Sequence, residues 1–192
     1  RVDSGDGKRK FWQESLIDRE PPRELSKRVK PYKYKEAIRA LAEGHEYVFW
    51  VEGESCVDAM WRINLPAITT LGGSKFKPER DANLFPAEKI VVVPDLDQVG
   101  IKHAKNIEHH YQGCKVLHPS PDHHHWQNPP KDGGIDIADW IGSGAKETDI
   151  FQALETTSDR FIEEAKTLKN KLEEGLQKID KLENVMLRTC AL

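Results

Sequence analysis

Cysteine is scarce and scattered in this chain. Its 192 residues include three, Cys56, Cys114 and Cys190. No Cys-x-x-Cys pair exists, which argues against a zinc ribbon and a disulfide scaffold. No apolar run approaches the roughly 20 residues that a membrane-spanning helix needs, and no signal peptide is visible, so a cytoplasmic protein without membrane partners is expected. A surplus of positive charge is also missing. Lysine and arginine total 29 against 32 aspartates and glutamates, a formal net charge of -3. Any surface for nucleic acid therefore has to be local. The chain opens at Arg1 and not at methionine, and is read as a portion of a longer protein. Its length suits one α/β domain with accessory helices.

The most informative stretch present runs from Ile90 to Gly100. An apolar, β-branched run, Ile90-Val91-Val92-Val93, ends in Pro94-Asp95-Leu96-Asp97, and Gly100 follows. In an extended chain residues two apart share a face, which aims Asp95 and Asp97 at one point beyond the strand's carboxyl end. Open α/β sheets bind ligands there. Two carboxylates about 4 Å apart repel by roughly 4 kcal/mol at an effective dielectric near 20. A cation, a proton or a basic side chain has to offset that cost, and oxygen-only ligands favour Mg²⁺ or Mn²⁺. The alternative is a helix cap, with Asp97 capping a helix from Gln98.

A second acidic strand end favours the site. Tyr47-Val48-Phe49-Trp50-Val51 reads as another buried strand running into Glu52-Gly53-Glu54. Gly53 there permits a tight turn and close approach to a ligand. Glu54 is read as a helix N-terminal acid complementing the dipole. Glu52 is read as a site residue, because a parallel sheet sets it beside Asp95 and Asp97.

With Val51-Glu52-Gly53-Glu54-Ser55-Cys56-Val57-Asp58-Ala59, Thr70-Leu71-Gly72-Gly73-Ser74-Lys75 and Asp136-Ile137-Ala138-Asp139-Trp140-Ile141 added to Asp95-Leu96-Asp97, the chain resembles the Toprim domain, most closely its primase-type members. The resemblance covers roughly Tyr47 to Gly142. It implies a Toprim-like parallel sheet of about four strands flanked by helices, and a metal-dependent nucleotidyltransferase of DNA replication. It further implies catalytic Glu52, Asp95 and Asp97, with Mg²⁺ (or Mn²⁺ in its place) held by these three and by Asp136 and Asp139. Implied partners are a single-stranded DNA template, nucleoside triphosphates and a replicative helicase domain or protein. A Toprim nuclease, or a non-catalytic module that binds nucleic acid or a partner, is the alternative.

Three parts organise the chain: a polar and basic segment over 1–44 with a short helix, a catalytic domain over 45–145, and a helical arm over 146–192. Lys10-Phe11-Trp12-Gln13 alternates like an edge strand. A basic run interleaved with tyrosines, Lys27 to Lys35, leads into a helix from about Tyr34 to Ala42. Cations between aromatics suit single-stranded nucleic acid, through Lys30, Lys33 and Lys35. A solvated linker is the rival reading. The core pattern then predicts strands over 47–51, 66–71, 89–94 and 114–118, and helices over 54–63, 79–84, 98–111 and from Asp136. Alternation of this kind means a parallel sheet. Gly72, Gly73, Ser74 and Lys75 at a strand end, with Gly53, are candidate phosphate contacts, against an ordinary turn with a solvated lysine.

The helix acids Asp136 and Asp139 share a face at i and i+3, although an Asp136 cap with a solvated Asp139 fits as well. His123-His124-His125 reads as a mobile loop, because consecutive histidines cannot all face one ion. From about Ser158 to Met186, Phe161, Ala165, Leu168, Leu172, Leu176, Ile179, Leu182 and Met186 recur every three or four residues. That pattern predicts one long amphipathic helix packed on the domain or its neighbour, with dimerisation as the rival.

Overall fold

In the computed structural model the described residues are 2–3, 9–10, 29–70, 75–120 and 128–156, with 169, 171–173, 175–176 and 179 in the tail. Val2–Asp3 (β1) and Arg9–Lys10 (β2) pair antiparallel. The expected strand at Lys10–Gln13 meets this ladder only at Lys10, and Phe11 to Gln13 lie outside the described residues.

Four further strands form the main sheet: Val48–Val51 (β3), Ala67–Ile68 (β4), Ile90–Val93 (β5) and Lys115–Val116 (β6). They lie in the order β4-β3-β5-β6 and all pair in parallel. This is the α/β sheet of four parallel strands that the alternating pattern predicts. Every residue of β3 and β5 is buried, as continuous apolar strands covered on both faces should be.

Side-chain alternation divides the core. Phe49, Val51, Val91 and Val93 face one layer with Met60, Leu117, Ile137, Ile150 and Leu154. Val48, Trp50, Ile90 and Val92 face the other, with Ala37, Ala104, Ile107 and Tyr111. Helices Glu54–Arg62 (α2) and Ile137–Gly142 (α5) cover the first face, with a helix over 147–156. Tyr34–Ala42 (α1) and Gln98–His110 (α4) cover the second. Between them Pro78–Asp81 (α3) is a single turn. The arm expected from residue 146 thus begins with residues that cover the sheet: Ile150 and Leu154 are buried, and the Phe151 ring lies 6.4 Å from that of Phe49.

β4 is shorter than the predicted strand over 66–71 because it is an edge. After Ile68, Thr69 turns to a single antiparallel bridge with Tyr32, whose N–H donates to the Thr69 carbonyl at 2.9 Å. The tail differs more. Among its described residues Leu172, Leu176 and Ile179 are helical and exposed, so no part of the domain covers the face expected to pack at Leu172 and Ile179. Leu168 and Leu182, and most of the helix expected over Ser158 to Met186, lie outside the described residues. Among those described, no helix is long and apolar enough to cross a membrane.

A buried ion pair ties the 75–85 segment to the second face. Arg80 and Asp81 are both buried, and the Arg80 guanidinium donates to both Asp81 carboxylate oxygens. Asp81 also accepts from the Lys77 N–H at 2.8 Å, and Tyr111 donates its hydroxyl to the Asp81 carbonyl at 2.7 Å. Breaking a buried pair leaves a charge without compensation, at roughly 3–5 kcal/mol. Asp81→Ala is expected to lower stability by about that amount in urea unfolding; a change near zero would show that Arg80 finds water instead.

Candidate metal centre

Register builds the site. Val51 pairs with Val93 across β3 and β5, so both central strands end at the same level. Glu52 follows one and Pro94-Asp95 the other, side by side at the carboxyl edge of the sheet. Glu52 is half-buried, and one of its carboxylate oxygens is shielded from solvent.

Past Val93 the chain does not stay extended, so the i, i+2 geometry expected of Asp95 and Asp97 does not apply. The Asp97 N–H donates to the Asp95 carbonyl at 2.8 Å, a three-residue turn that re-aims Asp97. Asp97 is buried and caps α4, accepting from the Gly100 N–H at 2.7 Å and, more weakly, from the Gly134 N–H at 3.4 Å. The capping role considered for it is therefore real.

Asp136 arrives from a loop that runs along this turn. Leu96 N–H donates to the Ile135 carbonyl and Gln98 N–H to the Pro130 carbonyl, both at 2.9 Å. Asp136 and Asp139 then close a capping box on α5: Asp136 accepts from the Asp139 N–H at 2.8 Å, and Asp139 accepts from the Asp136 N–H at 3.2 Å. Asp139 is exposed and Asp136 half-buried.

Two glycines permit this packing. A Cβ on Gly100 would overlap the Asp95 backbone, and one on Gly134 would overlap the Leu96 carbonyl. Gly53, read as permitting a tight turn, does not use glycine's conformational freedom. It lies in extended backbone with φ -121°, and a Cβ there would make ordinary contacts with Ser55 and Cys56.

The other four predicted carboxylates all act on Asp95. Burial, then the charges of Glu52, Asp136, Asp97 and Asp139, push the Asp95 carboxyl up to about 7. Each of those four raises the cost of ionising Asp95. Cys56, absent from the predicted site, joins Asp95: its Sγ and carboxylate oxygens of Asp95 and Asp136 all lie within 4.8 Å of one another. Burial first, then Asp136, push this thiol up to about 12. Its place in the first turn after the Glu52 strand end is the sequence signal that could have marked it.

The carboxylate set fits a hard divalent cation, with oxygen donors on three separate segments and negative charge that lacks a basic counterpart among the leading influences on Asp95. The other candidates lie elsewhere. Lys30, Lys33 and Lys35 line an open cavity near the β4 edge. Lys75 is exposed, with its carbonyl 3.2 Å from Arg80 Nη2. Gly72, Gly73, Ser74 and the triple histidine lie outside the described residues.

No protein-family model and no curated protein matches the chain. Several solved structures are similar to it. A DNA primase domain from Pseudomonas aeruginosa shows 22% identity and a TM-score of 0.48, over 74% of this chain and 44% of that one. A DnaG catalytic core shows 17% identity and a TM-score of 0.46, and an E. coli primase catalytic core 16% and 0.46, each over 74% of this chain and 42% of the other. The chain thus spans less than half the length of these primase structures, and what its carboxylates do follows from their own geometry.

Two outcomes are expected. Without metal, folded Asp95 holds its proton up to about 7 whereas the unfolded chain releases it near 3.8. Between those values the folded state binds more protons, so stability falls as pH rises through the window and levels off above it. Melting in EDTA across that range should show this slope, and Asp95→Asn should flatten it; an equal slope in both proteins would assign it to other groups. Gly134→Ala should lower the melting temperature and weaken Mn²⁺ binding in calorimetry, because the displaced loop carries Asp136. Unchanged affinity would show that Asp136 takes no part.

Proposed function

We propose that this chain is the metal-dependent nucleotidyl-transfer module of a DNA primase. One observation carries the reading: the acids that the Toprim resemblance singles out, Glu52, Asp95, Asp97, Asp136 and Asp139, converge electrostatically at the carboxyl edge of a parallel sheet. Carboxylates repel phosphates, so such a cluster recruits a polyanionic substrate only through a cation.

In this reading Asp95 and Asp97 hold Mg²⁺, or Mn²⁺ in its place, and Glu52 completes the set or accepts the proton of the attacking hydroxyl. Asp136 and Asp139 orient a second ion or its waters. Bound there, divalent metal would offset charge on the attacking and leaving oxygens of a phosphoryl group. The chain's own contribution is positional. The capping bonds on Asp97 and Asp136 restrict their rotamers, and the buried turn at Leu96 excludes water beneath the centre. Gly53 at the start of α2 and the Gly72–Lys75 segment are the proposed phosphate contacts. The substrates are a primer 3′-hydroxyl, a nucleoside triphosphate and a single-stranded DNA template.

Template-dependent incorporation of labelled nucleotides, run beside nicking of a supercoiled plasmid, tests this. Incorporation without nicking is expected, lowered at least the 10–100-fold typical of lost metal-site contacts in Asp95→Asn. Nicking without incorporation would make the centre a nuclease. Neither activity, with Mn²⁺ binding intact, would make this chain a non-catalytic metal-binding module.

A further inference from the structure

Tyr32 stands apart from the carboxylate centre, and its environment is unusual for an aromatic ring. It is 36% exposed, yet held at both ends. Its N–H donates to the Thr69 carbonyl at 2.9 Å, and its hydroxyl donates to Asp58 Oδ1 at 3.1 Å. Lys33, next in sequence, sits in left-handed backbone with φ 62°, a conformation that costs a non-glycine residue on the order of 1–3 kcal/mol and persists where the surroundings impose it.

One lysine stands over each of two neighbouring rings. Lys33 Nζ lies 5.7 Å from the Tyr32 ring centre, and Lys30 Nζ the same distance from that of Tyr34. Tyr34 itself is fixed edge-on against Phe85, with centres 5.3 Å apart. An open cavity of about 450 Å³ is lined by Lys30, Tyr32, Lys33, Tyr34 and Lys35, with Glu36 and Glu54 on its border. Three lysines face Glu36 and Glu54, and Asp58 holds the Tyr32 hydroxyl, so the local charge is balanced where the chain as a whole is acidic. The cavity lies close to the metal centre: Thr69, which accepts from Tyr32, donates its hydroxyl to the Glu52 carbonyl at 2.8 Å.

We propose that Tyr32 is a stacking platform for one base of a single-stranded nucleic acid, whose phosphates lie along Lys30, Lys33 and Lys35. A residue held through its backbone and its hydroxyl, with its side chain partly exposed, offers stacking area at little further entropy cost, and every base has a face to stack. An acidic peptide would satisfy the lysines and leave the ring without use. The platform stands at the β4 edge, so a strand stacked on it would approach the carboxylates from that edge. Only that direction of entry rests on the nucleotidyl-transfer reading; binding itself needs no metal.

Anisotropy of a labelled oligothymidylate with the whole chain in EDTA tests the proposal. The native chain should bind, with a shallow salt slope of roughly -2, since about 0.7 per neutralised phosphate is expected of single strands. Tyr32→Ala should weaken binding roughly tenfold or more, and Tyr32→Phe, which keeps the ring and loses the Asp58 bond, should bind like the native chain. A Lys30→Gln/Lys35→Gln double variant should make the slope shallower by about 1.4. The proposal is overturned if the native chain does not bind, if a Tyr32→Ala protein with unchanged melting binds normally, or if Tyr32→Phe is as weak as Tyr32→Ala. Polyglutamate competing as well as oligothymidylate would overturn it too. Binding that survives while nucleotide incorporation fails would leave the platform standing and remove only the transfer reaction.

Discussion

At the end of β5 one half-buried carboxyl, Asp95, lies in the field of Glu52, Asp136, Asp97 and Asp139, and burial with those charges raises its proton affinity to about 7. Such crowding is unfavourable for folding, since each ionised neighbour makes the next ionisation harder. A structure that keeps these groups together has to gain elsewhere, chiefly from two apolar layers packed on the strands that carry them. The same constraint explains why the acids suit a divalent cation, which relieves the repulsion between them.

The assembly depends on backbone contact more than on side-chain pairing. Equal termination of β3 and β5 brings Glu52 to Asp95. The loop bearing Asp136 is stitched to the Asp95–Gln98 turn by main-chain bonds from Leu96 and Gln98, at a separation only Gly134 allows. Asp97 caps α4 and touches that loop at once, so one carboxylate joins strand end, helix and loop. Cys56 closes the group from α2. The centre is thus built from four segments that meet only in the fold.

Much of this was legible in the residues. Continuous β-branched and aromatic runs at Val48–Val51 and Ile90–Val93 demand burial on both faces, and helical patterns between them demand a parallel sheet. The limits of the helix at Tyr34–Ala42 follow its apolar period. Glu52 and Asp95 stand directly after such runs, whereas Asp136 and Asp139 were marked by the Toprim resemblance. Less legible were the edges: β4 and β6 are two residues each because an edge strand lacks a second partner to continue its ladder. Tail periodicity at Leu172 and Ile179 was legible too, yet a period identifies a face without saying what covers it, and nothing in the domain does.

Sequence alone determined the strand and helix types and the parallel sheet, because these follow from local periodicity and from the cost of exposing apolar runs. Tertiary structure alone decided which acids meet. Asp95 and Asp97 are neighbours in sequence, and a tight turn between them sets Asp97 as the cap of α4 while its charge still reaches Asp95. Asp136 lies far along the chain and arrives beside Asp95 because two glycines let backbones touch. Cys56 meets Asp136 through contacts between segments distant in sequence, and Tyr32 meets Thr69 and Asp58 in the same way. Local energetics set each element; where side chains converge depends on how the elements pack, and packing is a property of the whole chain.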